Sequence, residues 1–433
     1  MNNRSITLRL IVLSFLEFAV WGAYLTSLGR YLGNIGFGNH IKWFFAMQGI
    51  VSIFMPTLMG ILADRKVQAQ KLLSLCHLLA GLFMISAGLY CKSSGSGIAF
   101  GPLFTLYSLS VAFFMPTIAL VNSVSYHALE TAGKDPVKDF PPIRVFGTVG
   151  FIISMLCVNW IKIGGVAMQD SYTQLTASGI LSIVMCLYAL TMPSVPIKEG
   201  NDSKSLAESL GLKAFTLFKD RQFAIFFIFS MLLGSALQIT NGYANTFLGS
   251  FAADPSLAGT FAVKNSNALL SISQASETLC ILLIPFFMKK FGIKNVMLIA
   301  MFAWVFRFGF FGLGSPDMPG VILFILSCLV YGVAFDFFNI SGSLYVNENT
   351  DTDIRSSAQG LFMLMTNGLG ASIGTLVAGW VVEKCGCFTN PAGWAKAWYI
   401  FAAYALVVGI LFMILFKDPR KIKAAQASCS AQA

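Results

Sequence analysis

Few residues in this chain can do chemistry inside the apolar runs that make up most of it. Glu17, Glu277, Arg307 and Asp336 each lie within such a run, and Arg144 opens another. A charged side chain at bilayer centre costs on the order of 2.5–3.5 kcal/mol on insertion scales, so each needs a pairing group or a wet cavity. Three acids and two arginines come close to neutrality if one cavity serves them all. Helical spacing supports sharing, at 100° per residue. Gln238, Asn241 and Asn245 form one amide stripe, and Gln274 precedes Glu277 by three residues. Tyr331, Phe335, Asp336 and Asn339 fall within an arc of about 140°, Arg144, Thr148 and Phe151 share a face, and so do Glu17, Trp21 and Tyr24. Hydrogen-bonding groups set beside flat aromatic faces suit a small, uncharged, polyhydroxylated and partly aromatic solute.

The same residues have plainer uses. Amides and hydroxyls join transmembrane helices through bonds worth about 0.6 kcal/mol, so any single amide here serves packing as readily as a ligand. Phe335, Phe151 and Trp21 taken singly read as core. Arg307, set among Trp304, Phe306 and Phe308, reads equally as snorkelling or structural and is not counted in the site. For the carboxylates the functional reading is favoured, because an unpaired acid in hydrocarbon is the costlier residue to keep. A buried acid also handles protons: desolvation raises its pKa and a nearby arginine lowers it, so alternation between the two binds and releases one proton. His40, His77 and His127 are placed in loops or near helix ends, which leaves proton transfer to the carboxylates.

The elements that must hold these groups follow from composition. Of 433 residues, 56% are hydrophobic and 11% charged, with a mean hydropathy of +0.73. That leaves too little polar surface to coat a globule and excludes disorder, a disulfide scaffold and a nucleic-acid binder. Twelve apolar runs of spanning length are expected near 7–28, 43–63, 72–91, 98–122, 143–163, 173–193, 222–249, 265–288, 294–313, 319–346, 357–382 and 395–416. Strands are not expected, since the runs lack the alternation of a membrane barrel. The first run lacks a small-residue cleavage site and reads as a retained helix. With the N-terminus inside, 21 of the 29 Lys and Arg fall on cytoplasmic loops and 7 on the other side, which places both termini in the cytoplasm.

The polar stretch 194–220 divides the chain into six-helix halves, 1–193 and 221–416, with 417–433 as a cytoplasmic tail. Within it Leu206 to Phe218 has the spacing of a helix lying on the membrane face, and a solvated connector fits equally well. The halves echo one another. Met55-Pro56 matches Ile284-Pro285, and Asp139 to Arg144 (DFPPIR) matches Asp353-Ile354-Arg355. Repeats of this kind build transporters whose sites lie near the bilayer midplane.

Gly60 to Lys66 (GILADRK) resembles the signature of the major facilitator superfamily, although Val67-Gln68-Ala69-Gln70 replaces its later Gly-Arg-Arg portion. The resemblance implies a cytoplasmic latch made by Asp64 and Arg65. Longer blocks are more specific: Asp139–Phe151 (DFPPIRVFGTVGF), Ala224–Asn241 (AIFFIFSMLLGSALQITN), Ser271–Leu279 (SISQASETL) and Tyr331–Ser343 (YGVAFDFFNISGS). Together they resemble the bacterial nucleoside:proton symporters of that superfamily over nearly the whole chain. That family implies a nucleoside site lined by Arg144, Thr148, Phe151, Gln238, Asn241, Gln274, Glu277, Tyr331, Phe335, Asp336 and Asn339. Asp336, Glu277 and Arg144 are then the proton-linked group. Glu17 stands where those permeases are expected to carry Gln; it either joins the proton group or is a neutral carboxyl bonded to a neighbouring helix.

Nine cysteines fall mostly in apolar runs where no bridge is required. Cys385-Gly386-Cys387 is too closely spaced for an ordinary disulfide and lacks further metal ligands. No phosphate loop, nucleophile elbow or His-Glu-x-x-His pair is present. The expectation is an all-α membrane protein of twelve transmembrane helices in two pseudo-symmetric six-helix bundles. It is read as a monomer in the bacterial inner membrane that takes up nucleosides with a proton, without metal or cofactor. A sugar or oligosaccharide:proton symporter is the alternative within transport. An integral-membrane enzyme on lipid-linked sugar, using Glu277 and Asp336 as acid and base, and a nontransporting sensor are the alternatives outside it.

Overall fold

The computed structural model describes residues 3–197, 212–351 and 354–417, apart from a few side chains within them, Asp64 and Arg65 included. Its helices are α1 (Asn3–Gly22), α2 (Leu28–Asn34), α3 (Ile41–Arg65), α4 (Ala69–Ser94), α5 (Phe100–Phe114), α6 (Thr117–Thr131), α7 (Pro136–Trp160) and α8 (Thr173–Ala189), followed by α9 (Arg221–Ser250), α10 (Ser266–Leu313), α11 (Val321–Asn349), α12 (Arg355–Met363), α13 (Ala371–Lys384) and α14 (Ala392–Leu415). Every one of the twelve expected runs falls on helix. Two of them, 265–288 and 294–313, lie in α10 and are parted by Gly292, whose φ of 77° and ψ of 167° break the helical path. Ten stretches are long and apolar enough to cross a membrane, and α8 is a shorter apolar helix of 17 residues. Leu282, Ile414 and Leu187 stand out from this surface, as side chains facing lipid do.

Two local features differ from the expectation. Lys162–Ile163 and Val166–Ala167 pair as a small antiparallel hairpin, because Gly164 and Gly165 both accept the positive φ that a two-residue turn demands. The connector is described from Leu212, where Leu212–Lys219 forms a 3-10 helix; the earlier part of the expected surface helix lies outside the described residues.

By packing, the chain forms two compact units. The first comprises 1–204, 239–271 and 375–379; the second comprises 205–238, 272–374 and 380–433. Lipid tails are as apolar as leucine, so close packing and interhelical bonds must hold such helices together. The seam between α4 and α8 of the first unit illustrates this. Gly81 and Gly179 let the two backbones meet, Ser74 Oγ donates to the Cys186 carbonyl at 2.9 Å, and Ser182 Oγ donates to the His77 carbonyl at 2.8 Å. The second unit relies more on rings. Phe226 packs on Tyr345 at 4.7 Å and Phe362 at 5.4 Å, and Phe412 stacks on Phe416 at 4.6 Å.

Candidate functional site

In the second unit α10 and α11 run so close at Gly332 that a Cβ there would lie 2.5 Å from the Ser276 carbonyl oxygen. The hydroxyl of Ser276 donates to the Leu329 carbonyl at the same crossing. This contact brings Gln274 and Glu277 of α10 beside Tyr331 of α11. Tyr331 lies beside the Gln274 side chain and in the fields of Glu277, Arg307 and Asp336. Its ring stacks on Phe335 at 6.1 Å. Asp336 is buried and Glu277 half-buried, so the two acids share one neighbourhood centred on Tyr331. Phe335 and Asn339, one turn apart, line a cavity within this unit, opposite Trp304.

Two contributions here go beyond the expected set. Arg307, left out of the site on sequence grounds, is 1% exposed and holds its guanidinium carbon 4.6 Å from the Tyr331 ring centroid. It donates to the Ser327 carbonyl at 2.7 Å and to Ser273 Oγ at 3.2 Å. A buried guanidinium needs such acceptors, and the sequence does not reveal backbone carbonyls facing it. Thr366 and Asn367 also line the cavity. They sit on a π-helical turn, Leu364–Gly370, that widens the helix between α12 and α13. Their signal in the sequence is a polar Thr-Asn-Gly step inside an apolar run.

In the first unit Arg144 of α7 places its guanidinium carbon 3.7 Å from the Phe18 ring centroid. Phe151, two turns on, is met edge-on by Trp21 at 6.3 Å. Thr148, on the same face of α7, and Asn241 of α9 are both half-buried. Gln238 is buried in the second unit. Asn245, on the predicted amide stripe, is engaged elsewhere: it accepts from Ser266 Oγ at 2.6 Å and donates to Asn267 at 3.2 Å. The Asp64 and Arg65 side chains of the expected latch lie outside the described residues, although α3 runs through both positions.

One reading is overturned. His77 is neither in a loop nor near a helix end. It lies in the third turn of α4, is fully buried, and sets Nε2 2.8 Å from Glu17 Oε2. Hydropathy marked the run from residue 72, but α4 begins at Ala69 and the polar groups facing His77 come from α1 and α8, which no local pattern exposes.

Cys385 and Cys387 are free thiols, and burial pushes the Cys387 thiol up to about 12. No cluster of His, Cys, Asp and Glu able to hold a metal occurs among the described residues.

Apolar helices of spanning length, broken by glycine and carrying a small set of buried charged and amide groups, define a secondary transporter of the major facilitator type. Comparison with known proteins narrows this. The family described as Nucleoside H+ symporter matches residues 4–421. The chain is 46% identical to a xanthosine permease of Escherichia coli strain K12, over 97% of this chain and 98% of that one. It is 43% identical to the nucleoside permease NupG of the same organism, over 95% and 96% of the two chains. A crystal structure of the nucleoside transporter NupG superposes with a TM-score of 0.84 at 42% identity, covering 96% of this chain and all of that one. A D-xylose–proton symporter shares the fold alone, with a TM-score of 0.68 at 15% identity. The chain belongs to the nucleoside H+ symporter family.

Proposed function

We propose that this protein carries nucleosides into the bacterial cytoplasm together with a proton, by alternating exposure of a site that lies within the membrane. It is a secondary transporter and not an enzyme. The observation that carries the reading is the Tyr331 neighbourhood, where a flat ring pair, two acids, an amide and a buried arginine adjoin. Tyr331 and Phe335 offer faces to a nucleobase, while Gln274, Asn339 and Glu277 offer bonds to ribose hydroxyls and base edges. Gln238, Arg144, Thr148, Phe151 and Asn241 are assigned to substrate binding as well. The coupling proton is assigned to Asp336 and Glu277 with Arg144, because a carboxyl there is stable in hydrocarbon when protonated or matched by a cation. Asp64 and Arg65 serve as the cytoplasmic latch. The six-helix halves 1–193 and 221–416 are the moving bodies, 194–220 joins them, both termini and the 417–433 tail are cytoplasmic, and one chain suffices for transport. No cofactor is required beyond the proton.

The test is uptake of labelled uridine into membrane vesicles with an imposed proton gradient. Nucleosides in excess should compete, whereas free bases and free sugars should not. Competition by a pyranose and not by nucleosides would replace the substrate class, and accumulation indifferent to the gradient would remove the coupling.

A further inference from the structure

Glu17 and His77 are joined in the first unit by bonds that fix where their protons lie. Both side chains are fully buried. Glu17 Oε2 stands 2.8 Å from His77 Nε2, and its other oxygen stands 2.7 Å from Thr117 Oγ1, whose single proton is shared between that oxygen and the Phe114 carbonyl at 2.5 Å. On the far side of the ring, His77 Nδ1 stands 3.0 Å from Ser182 Oγ. That hydroxyl also donates to the His77 backbone carbonyl at 2.8 Å. Ser182 has one proton to give and gives it to the carbonyl, so at Nδ1 it accepts, and Nδ1 carries hydrogen. Between Nε2 and Oε2 there is then room for one proton. Two would set N–H against O–H, and none would set a lone pair against a carboxylate charge. Whether the proton rests on nitrogen or on oxygen, the pair as a whole is neutral.

Neutrality matters at this depth. A lone carboxylate in such surroundings costs several kcal/mol or more, whereas a bonded neutral pair removes most of that penalty. Around the pair, Thr117 of α6 and Ser182 of α8 present hydroxyls, Cys76 of α4 lies in the field of Glu17, and Arg144 on α7 lies over the ring of Phe18, the residue next to Glu17.

The pair also fixes how α1 is turned. Phe18, the next residue, lies under the Arg144 guanidinium. Trp21, one turn on, meets Phe151 at 6.3 Å and Phe114 at 6.0 Å, and Phe114 in turn meets the His77 ring at 6.0 Å. A rotation of α1 that broke the bond to His77 would carry Phe18 and Trp21 away from both residues of α7.

We propose that Glu17 and His77 hold one proton in common throughout the transport cycle and act as a positioning pair, setting the α1 face against which Arg144 and Phe151 are held. The inference rests on those two residues belonging to the substrate site. It separates Glu17 from the coupling group: its proton has a permanent place and does not leave.

The experiment uses full-length protein in vesicles and reads half-saturation, maximal rate and pH profile of uridine uptake. Glu17→Gln supplies an amide donor to Nε2 and an oxygen to Thr117, reproducing the bonds without a mobile proton. It should keep gradient-driven accumulation and the pH profile, with half-saturation within about twofold. His77→Gln leaves Glu17 a charge to bury and should raise half-saturation about tenfold with a smaller change in maximal rate. Glu17→Gln/His77→Gln restores a neutral amide pair and should recover most of that loss. If Glu17→Gln abolishes accumulation while exchange without a gradient persists, the shared proton is the transported one and the inference is overturned. If the double variant is no better than His77→Gln, the positioning role fails. Should Arg144→Ala and Phe151→Ala leave half-saturation unmoved, the site assignment fails instead, and the Glu17→Gln pH profile still reports on the pair.

Discussion

Arg30 Nε donates to Asp170 Oδ1 at 2.5 Å, and Nη1 of the same guanidinium donates to the Val263 carbonyl and to Ser266 Oγ, both at 2.8 Å. One arginine of α2 thus ties that helix to the 3-10 turn after the hairpin and to the start of α10. A polar network extends the tie. Thr26 Oγ1 donates to Asn267 Oδ1 at 2.5 Å, Asn267 Nδ2 to the Met155 carbonyl at 3.0 Å, and Asn159 Nδ2 to Asn265 Oδ1 at 2.9 Å. On the proposed topology, with both termini cytoplasmic, these residues fall on the outer side of the membrane. Residues 239–271 follow the connector in sequence, yet they pack with the first helices as one unit. On that topology the network is expected to act as an outer closure that parts before substrate enters from outside. Charge-assisted bonds of this kind contribute about 1.5–3 kcal/mol each. Asp170→Asn keeps the shape and removes the charge. It should raise labelling of a reporter cysteine at position 263, where only the backbone carbonyl joins the network, by an impermeant maleimide about tenfold, and Arg30→Ala should raise it further. Labelling unchanged in both would show that the closure does not depend on this ion pair.

Asp336 is buried, and Tyr331 lies in its field and in that of Glu277. If its proton drives uptake, Asp336→Asn fixes the neutral state. Accumulation against a gradient should fall to background while uridine counterflow is retained to within about tenfold. Glu277→Gln should change both, since that acid is also assigned to the proposed nucleoside site. Interacting acids share macroscopic titration steps, so the two variants must be compared over a pH series rather than at one pH. Accumulation by Asp336→Asn equal to that of the parent would take Asp336 out of the relay.

How far the sequence discloses this arrangement depends on what kind of signal each residue sends. The helices are legible because a bilayer demands long apolar runs, and each expected run meets a helix. That Tyr331, Phe335 and Asn339 share one face is legible because their spacing follows helical geometry, and Glu277 draws notice because an acid in an apolar run demands explanation; their role in binding is a proposal. Arg307 and His77 are hidden for a shared reason. Each is made acceptable by groups distant in sequence, the Ser327 carbonyl and Ser273 for one, Glu17 and Ser182 for the other. Thr366 and Asn367 are harder to place because the widened turn that sets them along the cavity is a departure from the helical period on which the reading relied.

Arg307 makes its own prediction. The guanidinium covers the Tyr331 ring while bonding to Ser327 and Ser273, so it sets both the tilt of that ring and the local charge. Lysine keeps the charge but lacks the planar face and the fork of donors. Arg307→Lys should raise the half-saturation concentration for uridine by about tenfold, in line with roughly 1–2 kcal/mol for a desolvated cation–π contact. Arg307→Met retains bulk without charge and should lose uptake more completely, while Phe310→Leu, a change of ring on a neighbouring turn, should not. Equal kinetics in the Lys variant would mean that charge alone is needed at this position.

The face shared by α1 and α7 supplies a steric test. Gly150 lies against Phe15, where an added Cβ would overlap the Phe15 carbonyl oxygen and sit 2.9 Å from its carbon. The obstacle is backbone, so no rotamer change relieves it and the helices must separate. Overpacking of this kind costs about 1–3 kcal/mol. Separation also draws Trp21 away from Phe151 and Phe18 away from Arg144, both of which depend on the closeness of these two helices. Gly150→Ala should therefore lower the thermal midpoint of the purified protein by several degrees and raise half-saturation for uridine at least fivefold. Gly101→Ala is the control, since nothing lies within 4 Å of a Cβ at that position. It should leave both quantities unchanged. If Gly150→Ala lowers the midpoint but leaves half-saturation alone, α1 and α7 can part without disturbing substrate binding, and the Phe18 and Trp21 contacts do not position the site.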